Sequence, residues 1–177
     1  AAVAGIVDVP CRPMREGAKD AGLREPAACF RPGMAAGGEV PAGDVALPTL
    51  GAFDVVVAGG GTGGAPAAIA AAREGARVLV LEAQHDLGGV GTLGCISVYY
   101  HGYRGGFNEE IARGLRELGG DDPGFRPDRW NFLHKAEWLR REIAAAGGEV
   151  WFGSHVSGVR QAGQRVCGLI VNTPWGR

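Results

Sequence analysis

Residues 53–177 predict an α/β fold built on a parallel sheet, and three observations predict it. Residues 53–59, FDVVVAG, form a short unbroken valine-rich run without polar alternation, as in strands buried on both faces of a parallel sheet. An alanine-rich helical segment, GGAPAAIAAAREG, follows at once, and a second apolar run, ARVLVLE, closes a strand–helix–strand unit of about thirty residues. Six residues at the first strand–helix junction, GGGTGG, include five glycines.

Each element carries its own punctuation. Pro66 fits the first helical turn, where a missing N–H costs nothing, and Gly75 is placed to end the helix in a left-handed conformation. In FNEEIARGLRELGG, Phe107, Ile111, Leu115 and Leu118 share one helical face and Gly119-Gly120 offers a stop. In WNFLHKAEWLRREIAAAGG the face is Phe132, Ala136, Leu139 and Ile143, with Gly147-Gly148 after it. EVWFG predicts a third parallel strand. HVSGVRQAGQRVCGLIVNT predicts a hairpin turning near residues 162–164. Residues 1–52 show no sustained period and carry prolines at 10, 13, 26, 32, 41 and 48, so they read as an irregular segment ahead of the domain at 53–177.

Composition narrows the function classes. The 177-residue chain is 46% hydrophobic and 21% charged, enough for a real core and too apolar for global disorder. A net charge of -1 gives no basic footprint for nucleic acid. No apolar run reaches the roughly 20 residues of a membrane span. The four cysteines, Cys11, Cys29, Cys95 and Cys167, form no CxxC pair, which argues against a zinc or iron–sulfur loop. Reduced thiols in a cytoplasmic protein are the expectation.

The glycine cluster has a physical logic. The GxGxxG spacing falls on Gly59, Gly61 and Gly64. Gly59 permits the tight turn out of the strand, Gly61 lets the backbone approach a pyrophosphate, and Gly64 lets the helix pack closely. Thr62 and Gly63 complete the turn, and the helix start offers free N–H groups and a positive dipole end to phosphates. Glu82 closes the second strand 21 positions after Gly61, where an acid hydrogen-bonds the ribose hydroxyls of an adenine nucleotide and disfavours a 2′-phosphate. Ala83 follows it. This unit by itself leaves FAD and NAD open. The next residues, AQHDLGGVGTLGCIS, place Gly88, Gly89, Val90, Gly91 and Thr92 where a plain NAD domain continues into helix.

With that second loop, DVVVAGGGTGGAPAAIAAAREGARVLVLEAQHDLGGVGTLGCIS resembles the FAD-dependent oxidoreductase family of the two-dinucleotide-binding-domain flavoproteins. The resemblance is sharpest at Gly59, Gly61, Gly64, Glu82 and residues 88–92, and looser from Trp130 to Thr173. It implies a Rossmann-like FAD-binding domain with a small antiparallel insert. It also implies FAD as cofactor, backbone contacts from Val156 to the adenine, and hydride or electron transfer with a small organic substrate. Family members continue into a further strand, a substrate domain and a last FAD-contacting segment. The chain therefore reads as an N-terminal fragment whose FAD site is completed elsewhere, with no turnover expected from the fragment alone.

Candidate chemistry lies in CISVYYHGYRGG, which the resemblance places near the flavin. His101 is a candidate acid–base or flavin-stabilising group, and Arg104 a candidate for an anionic substrate. For both, the competing expectation is a structural side chain. Cys95 is expected to be a buried, inert thiol, and His85 and Asp86 to face solvent. Trp130, Trp138 and Trp151 are expected in core or domain contacts, and His134 at the surface. Three other readings stay open: an NAD-binding enzyme similar to thiazole-biosynthesis proteins, a non-catalytic dinucleotide-binding module, and an electron-transfer subunit with iron–sulfur redox partners, the cluster lying outside this chain.

Overall fold

The computed structural model describes residues 46–101, 105–119 and 129–175, all but the first within one compact unit, Leu47–Arg177. The elements run β1 (Val55–Ala58), α1 (Gly64–Arg73), β2 (Val78–Glu82), a 3-10 turn (Gly89–Gly91), α2 (Phe107–Gly119), α3 (Phe132–Ala145), β3 (Glu149–Phe152), β4 (His155–Ala162) and β5 (Arg165–Asn172). β1, β2 and β3 form a parallel sheet in that order. β4 and β5 pair as an antiparallel hairpin with register shifts between Val156 and Gly158 and between Arg160 and Gln161. The structure thus has the predicted α/β plan, with the expected Rossmann-like sheet and antiparallel insert.

The central strand takes the deepest position. All five β2 residues are buried, whereas β1 is exposed at both of its ends. The sequence predicts equal burial for both runs. The difference arises because β2 has a partner on each side, while among the described residues β1 pairs with β2 alone. Alternation divides the sheet faces. Val57, Val78, Val80, Val150 and Phe152 pack into the core with Ala65, Ala68, Ile69 and Ala72 of α1 and with Leu139 and Ile143 of α3.

Glycine ends two of the helices as predicted. After α1, Gly75 has φ +88°, its N–H reaches Ala72 O at 2.9 Å, and Ala76 N–H reaches Ala71 O at 3.3 Å. After α3, Gly147 (φ +82°) repeats the arrangement, with Gly147 N–H on Ala144 O at 3.0 Å and Gly148 N–H on Ile143 O at 2.8 Å. Both are six-residue closures that only a left-handed residue completes without strain. α3 begins on Asn131, whose side chain accepts from Leu133 N and His134 N. The three helices are tied by Arg73 at the end of α1, which pairs Glu110 of α2 and Glu142 of α3. Its guanidinium holds the Glu110 carboxyl below the usual range, a contribution present above the normal glutamate value and lost as pH falls. All three side chains are partly solvated, so the network is worth about 1 kcal/mol or less.

Gly114 sets how closely α2 meets α3. A Cβ there would fall within 1.8 Å of Trp138 Nε1, and the Trp138 ring also packs on Phe107 at 5.8 Å between centroids. Gly114→Ala is expected to destabilise the fold by about 1–3 kcal/mol, the range of overpacking, despite alanine's better helix propensity. A urea midpoint equal to or above that of the wild type would show that Trp138 yields freely.

Candidate functional site

The site lies at the carboxyl ends of β1 and β2, the end at which parallel sheets bind ligands. The chain leaves β1 through Gly59, whose φ is +97°, and Gly59 N–H still bonds Leu81 O at 2.8 Å. A Cβ on Gly64 would lie 1.8 Å from Gly59 O and 3.2 Å from Val57 Cγ1. The third glycine of the motif is therefore dictated by packing against the strand exit. Gly61 and Gly63 differ: a Cβ on either meets no protein atom within 4 Å. Both positions are open on the side where a Cβ would point. Among the described residues, the N–H groups of Gly61, Thr62 and Gly63 have no protein acceptor. Three successive free donors at the start of a ten-residue helix suit a phosphate.

The second glycine loop closes directly on the first. Gly88 N–H donates to Gly60 O at 2.8 Å, and Thr62 Oγ1 donates to Gly88 O at 3.1 Å. A Cβ on Gly89 would lie 3.1 Å from Gly61 Cα. Gly88 (φ +96°) and Gly89 (φ +55°) both need glycine's backbone freedom. Thr92 is buried and its hydroxyl bonds Leu87 O at 2.5 Å, fixing the loop from beneath. Val90 is exposed.

Glu82 is buried at the end of β2. One carboxylate oxygen accepts from Gly60 N at 2.7 Å, the other from Gln84 N at 2.8 Å. It thereby fastens the β1 exit to the β2 exit. Each oxygen keeps a further lone pair for a ribose hydroxyl. Ala83 is exposed beside it. Gly60 was not singled out by the GxGxxG spacing, yet a Cβ on it would strike Leu87 Cδ2 at 2.4 Å.

The remaining candidates fall differently. Val156 lies within β4, opposite Val171. The residues directly after β3 are Gly153 and Ser154, whose N–H groups bond Gln84 O and Glu82 O. His101 is exposed, and Arg104 lies outside the described residues. The expectation of a buried Cys95 is corrected: the thiol is exposed, because the segment after the loop runs over the surface, with Cys95 itself at φ +56°. His85 is exposed, Asp86 and His134 are half-buried, Trp138 is in the core with Trp130 packed against it, and Trp151 is half-buried.

A lysine overlooked in the sequence stands behind the loop. Lys135 is 3% exposed, with its ammonium 3.7 Å from the Trp130 ring centroid and 5.2 Å from that of Tyr99. Trp130 Nε1 donates to Gly91 O at 2.6 Å. A small cavity of about 50 Å³ lies here, lined by Thr62, Pro66, Gly88, Tyr99, Asn108 and Lys135 among others. Burial lowers the lysine from 10.5 to about 8. Because that folded value lies below the unfolded one, the charge destabilises the fold at neutral pH, and stability gains as pH rises between about 8 and 10.5. The signal was present: Lys135 falls on the apolar face defined by Phe132, Ala136, Leu139 and Ile143. A larger cavity of about 300 Å³, between Phe53, Arg77, Glu149 and Trp151, lies at the amino ends of the strands, away from all of these groups.

Residues 54–177 match the family described as FAD dependent oxidoreductase. The chain belongs to that family. The family implies FAD as cofactor, and the two joined glycine segments with Glu82 fit such a dinucleotide. No curated protein gives a significant match. Among solved structures, the chain is similar to the THI4 protein of Thermovibrio ammonificans, with 27% identity, 68% of this chain and 48% of that one covered, and a TM-score of 0.47. It is similar to AlpK with 20% identity, 70% and 28% covered, and a TM-score of 0.50, which shows the fold alone. Glycine oxidase from Bacillus cereus matches at 16% identity, 71% and 52% covered, and a TM-score of 0.49. The chain thus spans about half the length of these structures or less. Among the described residues no helix is long and apolar enough to cross a membrane, and no cluster of three or more metal-ligating side chains occurs.

Proposed function

We propose that this chain supplies the FAD-binding part of a flavin-dependent oxidoreductase that moves a hydride or electrons between a small organic substrate and FAD. The observation that carries this reading is the union of two glycine segments into one open cradle, with the acid of the neighbouring strand at its rim. The free N–H groups of Gly61, Thr62 and Gly63 and the positive end of α1 would hold the pyrophosphate. Glu82 would hold the adenosine ribose, its orientation fixed by Gly60 N and Gln84 N. Residues 88–92 would close over the phosphate turn and screen it from water. Bound flavin supplies the redox chemistry, while the protein orients it and tunes its surroundings. Ala83 and Val156 remain proposed adenosine contacts, and His101 and Arg104 proposed groups near the reacting ring.

Heat-released cofactor from the full-length protein is expected to show flavin absorbance. Release of a nicotinamide dinucleotide would favour the NAD-binding alternative, and release of neither would favour a non-catalytic module. Glu82→Gln keeps the side chain's size and one acceptor. It is expected to weaken FAD binding by about 1.5–3 kcal/mol, the scale of a hydrogen bond to a charged group. An unchanged Kd would move the ribose away from this carboxylate.

A further inference from the structure

Lys135 is the one cation buried among the described residues, and its position is a poor one for stability. It sits in the first turn of α3, the positive end of the helix dipole, and side chains there lean back toward that end. No carboxylate reaches it among the described residues. The side chains sharing its cavity, Thr62, Pro66, Asn108, Ile111 and Leu139, carry no charge, and Tyr99 is the other titratable group. Its ammonium donates to Tyr99 Oη at 3.5 Å, which in turn donates to Asn108 Oδ1 at 3.1 Å. A buried charge without a counter-charge is costly unless something else compensates it.

What surrounds it points to the compensation. A Cβ on Gly91 would meet the ammonium at 2.9 Å, so the charge lies directly against the 88–92 loop. The Trp130 ring beneath it is the same ring that donates to Gly91 O. Thr62 and Pro66 bring the phosphate turn and the start of α1 to the same cavity. We propose that Lys135 is a positioning residue for the bound dinucleotide: its ammonium, acting through Trp130, holds the 88–92 loop against the phosphate turn and sets a positive charge behind it. This rests on the dinucleotide-binding reading above.

Linkage gives the role a signature. If the protonated lysine favours the anionic ligand, the ligand favours the protonated lysine by the same factor. FAD binding to the full-length protein near pH 8 is therefore expected to take up part of a proton. Calorimetry in two buffers of different ionisation enthalpy reads this directly. FAD affinity is expected to fall at least tenfold between pH 7 and pH 9.5, although the lysine's own burial stabilises the fold over that rise. Lys135→Met keeps the stem and removes the charge. It is expected to melt at or above the wild-type temperature, to bind FAD at least tenfold more weakly at pH 7, and to take up no proton. A side chain with only a structural role would not separate stability from affinity in this way.

Wild-type affinity and proton uptake in Lys135→Met would overturn the proposal. Should that variant fail to fold, a wild-type affinity that is flat from pH 7 to 9.5 would overturn it as well. If the protein binds NAD and not FAD, the flavin reading fails. The same proton measurement made with NAD, also a pyrophosphate dinucleotide, then decides the role of Lys135. Binding of neither dinucleotide overturns both.

Discussion

Gly61→Val abolishes dinucleotide binding in the full-length protein while leaving its thermal stability near that of the wild type. That is the expected result, and it follows from where the side chain would go. A Cβ at Gly61 meets no protein atom within 4 Å, so the first carbon of a side chain there has room in the folded chain. The space it enters is the open side of three free N–H groups, where a pyrophosphate must come within hydrogen-bonding distance of the backbone. An isopropyl group there holds the phosphate off. Titration with FAD, beside a melting curve, checks both halves. Unchanged affinity would sink the proposed pose, and a collapsed melting temperature would mean that the glycine serves the fold.

Gly64→Ala gives the reverse pattern, with loss of stability as the primary effect. Here the added carbon falls 1.8 Å from a backbone oxygen, that of Gly59, and 3.2 Å from Val57 Cγ1. A side chain can rotate away from such a contact, but the strand exit cannot. Overpacking costs about 1–3 kcal/mol and sometimes more. The upper end is expected, a fall in Tm of about 10 °C or more for a domain of this size. A melting temperature within two or three degrees of the wild type would show that α1 can slide off the sheet without penalty. The two glycines belong to one motif, yet the structure leaves one open and packs the other against the strand exit.

Much of this was legible because the chain is strongly punctuated. Pro66, Gly75 and Gly147 mark helix ends with local chemistry, and local chemistry is what a sequence records directly. The parallel character of the sheet followed from the strand–helix–strand unit, and the glycine turn from its spacing; the order of the three strands did not. What stayed hidden depends on contacts between distant segments. Gly60 looks like a spacer until Glu82 and Leu87 are brought to it. Lys135 falls on the apolar face of its helix by spacing, but that the loop at 88–92 and Trp130 cover it is written nowhere in that helix. Cys95 reads as a buried thiol by composition, and only the path of the chain after the loop shows it to be exposed. The unequal burial of the two valine-rich runs has the same origin, since partners across a sheet are not written in either strand.

That inequality has a consequence for how the molecule breathes. Within the described residues β2 is hydrogen-bonded on both flanks and β1 on one. Local opening follows such differences, so the amides of Val55–Ala58 are expected to exchange with solvent sooner than those of Val78–Glu82. The turn proposed for the phosphates therefore hangs from the strand with one partner, and the acid proposed for the ribose from the strand with two. A dinucleotide reaching from one to the other would act as a clasp across the pair, slowing the opening of the strand that has only one neighbour.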